Sequence, residues 1–216
     1  MSDKDLRQFI IDELDFEPSV DAANIGVAVE NGVVTLSGHV ASYAEKMAAE
    51  AAVRRVKGVR AIAEEIEVRY PFNKKMADDE IAKRALDVIR WSASVPQDRI
   101  QVTVQNGWVT LSGQVDWWYQ KNAAADAVRK LSGVSGVINN VTIRPRVQPV
   151  DVKRKIEDAF KRRAEIDTQG IRVAVTDGGK ITLQGSVHDW QERIAAVDAA
   201  WSAPGVVSVD DRLSIM

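Results

Sequence analysis

Residues 100–133 read IQVTVQNGWVTLSGQVDWWYQKNAAADAVRKLSG, and this stretch decides the fold. Ile100, Val102 and Val104 alternate with Gln101, Thr103 and Gln105, the period of a half-buried strand. Asn106-Gly107 is a two-residue hairpin signal, because a type I′ turn needs positive φ at both central positions. Val109 and Leu111 then point inward on a return strand that Gly113 is predicted to stop. An alanine-rich amphipathic helix follows. Gly133 follows it at the place that Gly58 holds in the first copy, where Gly58 is predicted to close its helix in a left-handed conformation. Val137, Val141 and Ile143 supply a last strand.

The same plan lies on both sides. Ile25, Val27 and Val29 precede an Asn31-Gly32 turn, with Val34 and Leu36 returning to Gly38 over a predicted strand at 33–37. Ile171, Val173 and Val175 precede the longer turn Asp177-Gly178-Gly179, with Ile181 and Leu183 returning to Gly185. Twenty residues separate Gly38 from Gly58, Gly113 from Gly133, and Gly185 from Gly205. Each copy also begins with a helical stripe at i, i+4, i+8: Leu6, Ile10, Leu14, then Ile81, Ala85, Ile89, then Val152, Ile156, Phe160. Ser2 or Asp3 is placed to cap the first helix, predicted over 3–14, and Asp78 or Asp79 the second copy's. The second helix of the first copy is predicted over 43–56. Three tandem α-β-β-α-β modules follow, an α+β plan in which two helices pack on one face of a three-stranded sheet. Their expected bounds are 1–70, 76–145 and 149–216, joined by short linkers at 71–75 and 145–149. Linkers this short predict that the modules pack on one another. The strand order stays open.

The chain has 216 residues, 45% hydrophobic and 28% charged, with a net charge of −2. The absence of cysteine excludes disulfides and thiol chemistry. No run approaches a membrane span, and the acidic, soon amphipathic start MSDKDLRQFIIDELDF lacks the basic region of a signal peptide. The expected location is therefore the cytoplasm. Charge is uneven: residues 1–70 hold 8 Lys/Arg against 13 Asp/Glu, residues 71–147 hold 11 against 7, and residues 148–216 hold 10 against 11. The middle module is the one suited to an anionic partner.

The recurring segments Gly32-Val33-Val34-Thr35-Leu36-Ser37-Gly38, Gly107-Trp108-Val109-Thr110-Leu111-Ser112-Gly113 and Gly179-Lys180-Ile181-Thr182-Leu183-Gln184-Gly185 carry a family resemblance. With the pairs Gly58-Val59, Gly133-Val134 and Gly205-Val206, the pattern resembles the BON (bacterial OsmY and nodulation) family, three times over nearly the whole chain. The resemblance implies a mixed sheet in each module, no enzymatic activity and no cofactor. It also implies association with phospholipid membranes, with envelope maintenance and with osmotic or general stress in bacteria. A related protein that pairs one such module with another domain senses potassium. Many membrane-associated members are exported or lipid-anchored; this chain shows neither an export signal nor a lipobox cysteine.

The candidate surface is aromatic. Trp91, Trp108, Trp117 and Trp118 fall in the middle module, Trp190 and Trp201 in the third. Trp118 aligns with Tyr43 and Trp190, which predicts an anchor of the second helix to the sheet. Trp117 aligns with Ser42 and Asp189, Trp108 with Val33 and Lys180, and Trp201 with Arg54 and Arg129, positions off the core face. Burial between modules is one fate for such rings. The sharper expectation is that Trp117 and Tyr119, with Lys121, Lys74 and Lys75, enter an anionic headgroup layer. Two other readings stand beside it, a soluble sensor of a small ligand or of potassium, and a scaffold that uses Trp108, Trp117 and Trp201 on a protein partner.

Other features point to little chemistry. The basic run from Lys153 to Arg163 carries Glu157 and Asp158 and ends where cations suit the helix dipole, so it reads as a solvated helix. His39 and His188 sit at different offsets, and neither is expected beside a repeated carboxylate, so no metal site or acid/base pair is expected. Gly133-Val134-Ser135-Gly136 has the GxxG form of an RNA clamp but joins a helix to a strand, and no nucleic acid is expected.

Overall fold

Each module begins with a helix whose buried stripe the sequence dictates. In α1 (Asp3–Phe16) Leu6, Ile10 and Leu14 are buried, in α3 (Asp78–Trp91) Ile81, Ala85 and Ile89, and in α5 (Val152–Arg162) Val152, Ile156 and Phe160. The computed structural model describes residues 2–71, 76–96, 98–144, 152–163, 170–176 and 178–216. Lys74, Lys75, Asp177 and the second linker lie outside the described residues. Ser2 caps α1: its hydroxyl accepts from Asp5 N at 3.2 Å, and the Asp5 carboxylate accepts from Ser2 N at 3.2 Å.

The expected cap of α3 does not form. Its N-cap is Ala77, without a side-chain bond. The Asp78 carboxylate instead accepts from Asn106 N at 2.7 Å and Gly107 N at 2.9 Å. Asp3 does the same for Asn31 N at 2.7 Å and Gly32 N at 3.1 Å. A tight hairpin turn leaves N–H groups pointing outward, and a carboxylate on the first helical turn reaches both. The first helix is thereby fastened to the turn 28 residues ahead of it. The turns themselves are as expected: φ is 51° and 76° at Asn31-Gly32, and 51° and 77° at Asn106-Gly107.

Three three-stranded sheets follow, in the orders β1-β2-β3, β4-β5-β6 and β7-β8-β9. Their strands are β1 (Ile25–Glu30), β2 (Val33–Val40), β3 (Ala61–Val68), β4 (Ile100–Gln105), β5 (Trp108–Val115), β6 (Gly136–Ile143), β7 (Ile171–Thr176), β8 (Lys180–Val187) and β9 (Ser208–Ile215). The hairpin strands pair antiparallel, and β3 and β9 join the central strand parallel. Ser135 N donates to Gly107 O at 2.8 Å and Arg144 N to Val115 O at 2.8 Å, as Arg60 N does to Gly32 O and Arg69 N to Val40 O, so β6 also runs parallel to its neighbour. A parallel return needs a crossover. It is supplied by α2 (Tyr43–Arg55), α4 (Trp118–Arg129) and α6 (Trp190–Trp201).

Gly38, Gly113 and Gly185 do not stop their strands, contrary to the expectation from sequence. Each lies inside the strand at φ 115°, 130° and 130°, and the strand runs on for two residues. A Cβ there would lie 2.0 Å from Asn24 O, 2.1 Å from Arg99 O or 1.9 Å from Gly170 O. The glycine is needed so that the residue before the partner strand can approach. In the first module, Val34, Leu36 and Val40 of β2 and Ala49, Ala52 and Val53 of α2 are buried, and the small alanines let α2 lie close to the sheet. Burying a side chain such as Leu36 contributes roughly 1.5–3 kcal/mol.

Packing divides the chain into two units, residues 1–113 with 122–141, and residues 114–121 with 142–216. In the first, the Tyr70 hydroxyl donates to the Val134 carbonyl, and burial raises the phenol above its ordinary range. In the second, Trp118 stacks on Trp201 with ring centroids 5.6 Å apart and planes within 6°.

Candidate functional site

The loop between β5 and α4 is pinned from inside the helix. Gln120 Oε1 accepts from both Asp116 N and Trp117 N at 3.0 Å. The equivalent Glu45 accepts from Ala41 N at 2.9 Å and Asp21 N at 2.9 Å, and Glu192 from His188 N at 2.7 Å. A residue three places into the helix thus reaches back to the free N–H groups of the entering chain. This holds the Trp117 backbone in place while leaving the residue 38% exposed; Tyr119, on the first turn, is 55% exposed. Lys121 lies four residues beyond Trp117, at the end of the first turn of α4. It is half-buried, and desolvation lowers its pKa.

The other expected residues lie elsewhere. Trp201 is half-buried and joins this helix start through its stack on Trp118. Trp118 is likewise half-buried. Trp190 is half-buried too, with the Arg193 guanidinium 5.0 Å above its ring. Trp108 opens β5 on the sheet face away from the helices and is 50% exposed. Lys74 and Lys75 lie outside the described residues. The structure thus gathers Trp117, Tyr119, Lys121 and Trp201 around the start of α4; Trp108 belongs to the other unit.

The charge of the middle module has a specific origin. Residues 76–144 hold 8 Lys/Arg against 7 Asp/Glu, and the remaining excess of residues 71–147 is Lys74, Lys75 and Arg146 in the linkers. Several cations of the body are paired: Lys83 with Asp79, Arg84 with Glu80, Arg90 with Asp87, Arg129 with Asp126. The basic run on α5 is similar. Lys153 pairs with Glu157 and Lys161 with Asp158, while Arg163 donates to the Ala195 carbonyl at 3.0 Å.

One expectation about the histidines is overturned. His188 Nδ1 lies 2.9 Å from Glu192 Oε2, and Glu192 occupies a repeated position, that of Glu45. The carboxylate lies four residues on in sequence and folds back from the first turn of α6 over the strand end. Among the described residues, no group of three or more His, Cys, Asp or Glu could hold a metal ion. No helix among them is long and apolar enough to cross a membrane. In Gly133-Val134-Ser135-Gly136, Gly136 starts β6 beneath the Trp108 ring.

Sequence reasoning counted Trp91 among the middle module's aromatics but missed its counterpart Phe16 and the position the two share. Phe16 and Trp91 end the first helices of the first two modules and are 82% and 84% exposed. Each lies two residues beyond the last buried residue of its stripe. They are 75 residues apart, as are Leu6 and Ile81, so the repeat itself marks them as one position.

A family model described as "BON domain" matches residues 2–70, 77–145 and 150–216. The chain is similar to "Osmotically-inducible protein Y" of Escherichia coli, 29% identical over 132 residues, which is 57% of this chain and 63% of that protein. It thus spans less than two thirds of that relative's length. Two structures of CdsD, a structural protein of the Type III secretion system of Chlamydia trachomatis, match at 16% identity. They have TM-scores of 0.28 and 0.27, cover 98% and 100% of this chain, and are themselves covered to 92% and 100%. At such scores the likeness carries no weight.

Proposed function

Because the chain belongs to the BON domain family, we propose that it is a non-catalytic attachment protein of osmotic or general stress, and that the start of α4 meets anionic phospholipid surfaces. The observation that carries this reading is the pinned loop that presents Trp117 and Tyr119, with Lys121 on the same turn. Amphipathic rings of this kind suit the headgroup layer, where one end is apolar and the other wet. Lys74, Lys75 and Arg146 supply the linker charge, which adds attraction that salt weakens. The stress role is supported by the likeness to the osmotically inducible relative.

Co-sedimentation with vesicles of anionic and of neutral lipid, at low and moderate salt, tests this. The expected result is salt-sensitive binding to anionic vesicles alone, weakened several-fold by Trp117→Ala without loss of fold. Equal binding by the variant, or none by the native chain, refutes it. The exposure of Phe16 and Trp91 favours a second reading, a protein partner held on the first helices. Cross-linking from position 91, followed by mass spectrometry, would capture that partner.

A further inference from the structure

The three modules share one fold, so their open sheet faces can be compared position by position. The first module's face carries Glu30, Glu65 and Glu67. The third carries Arg172, Lys180, Asp210 and Arg212. The middle module carries no charge there among residues 100–112 and 136–141. Its cross-strand rows are Gln105 with Trp108, Thr103 with Thr110, and Gln101 with Ser112. Ile138 and Asn140 continue the face on β6, and both are exposed. This face differs from those of the other two modules in carrying no charge over those residues and in exposing two large apolar side chains, Trp108 and Ile138.

The tryptophan has a prepared bed. A Cβ added at Gly136 would lie 2.5 Å from two atoms of the Trp108 ring and 2.8 Å from a third. The ring therefore lies down across β6 and turns its other side outward. The equivalent positions hold Val33 with Ala61 and Lys180 with Ser208, so the Trp-Gly pair belongs to the middle module alone.

We propose that this face is a binding platform for an uncharged polysaccharide. A pyranose ring offers a face of C–H bonds that packs on an aromatic plane, and a rim of hydroxyls. Each hydroxyl both donates and accepts, and so do the amides of Gln101, Gln105 and Asn140 and the hydroxyls of Thr103, Thr110 and Ser112. Charged side chains would be donors only or acceptors only. A protein partner is the poorer fit, because the core of a protein interface is apolar and the centre of this face is Thr110 and Ser112. The face shares no residue with the start of α4 and does not depend on the lipid reading.

The test uses the full chain with two neutral probes, cellohexaose and chitohexaose, followed by NMR of the tryptophan indole N–H signals and by calorimetric titration. The Trp108 signal, assigned by its loss in Trp108→Phe, is expected to move with at least one probe at millimolar concentration or below. Trp108→Ala should weaken that binding by about tenfold or more while circular dichroism is unchanged, since the ring is half-exposed. Gly136→Ala, which keeps the tryptophan and lifts it from its bed, should weaken binding too. The proposal fails if neither probe moves the Trp108 signal, if Trp108→Ala binds as the native chain does, or if the face is found covered by a protein in place of a glycan. Vesicle binding that persists in Trp108→Ala keeps the two sites distinct; loss of both activities in that variant would overturn their separation.

Discussion

Replacing Gly185 by alanine should unfold the third module far more readily than replacing Gly178, seven residues earlier. Both glycines have positive φ, 130° at Gly185 and 82° at Gly178, so both substitutions carry backbone strain. At Gly178 nothing lies within 4 Å of the added Cβ, and the cost is the left-handed strain alone, about 1–2 kcal/mol. At Gly185 the Cβ would lie 1.9 Å from Gly170 O, where ordinary contact begins at 3.4 Å. The atom it meets is backbone, on the residue just before β7, so no side chain can swing aside. Either β7 and β8 part or the module loses its hairpin. A total of about 3 kcal/mol or more is expected, combining φ strain with steric displacement. Urea unfolding followed by far-ultraviolet circular dichroism and by tryptophan fluorescence measures it. The modules need not melt together, so the loss is expected as an early transition that leaves the rest folded. A Gly185→Ala stability within about 1 kcal/mol of that of Gly178→Ala would refute the close-approach argument.

Asp78→Ala should lower stability by about 1–2 kcal/mol, because it frees two turn N–H groups at a partly exposed site, and Asp78→Asn, which keeps one acceptor, by about half of that. Equal urea midpoints for the native chain and the Asp78→Ala variant would mean that the turn does not need its carboxylate. A second expectation concerns pH. Burial raises the Asp198 carboxyl above its ordinary 3.8, and Arg163 offsets this only in part. The folded chain then holds that proton to higher pH than the unfolded one, so stability falls as pH rises from 3.8 through the raised folded value. Asp198→Asn should flatten this part of the melting-temperature profile and be no less stable at neutral pH; an unchanged slope would remove Asp198 as its source.

Much of this protein is legible along the chain. The i, i+4, i+8 stripes of α1, α3 and α5, the strand alternation and the Asn-Gly turns follow from backbone geometry that acts over a few residues, and the repeat multiplies each signal by three. The exposed Trp108 face follows from the same alternation. What local geometry cannot hold is which distant group a side chain meets. Asp78 looks like a helix cap until the fold brings Asn106 N and Gly107 N within reach. Gly113 looks like a strand stop until Arg99 O fills the space where its Cβ would be. The repeat predicts Trp118 as an anchor of its own helix, but only the fold shows its stack on Trp201, and the Trp108 ring has no set pose until Gly136 leaves room for it. Period and turn are properties of neighbours in sequence. The clamp, the close approach, the stack and the platform depend on distances that exist only once the chain has closed on itself.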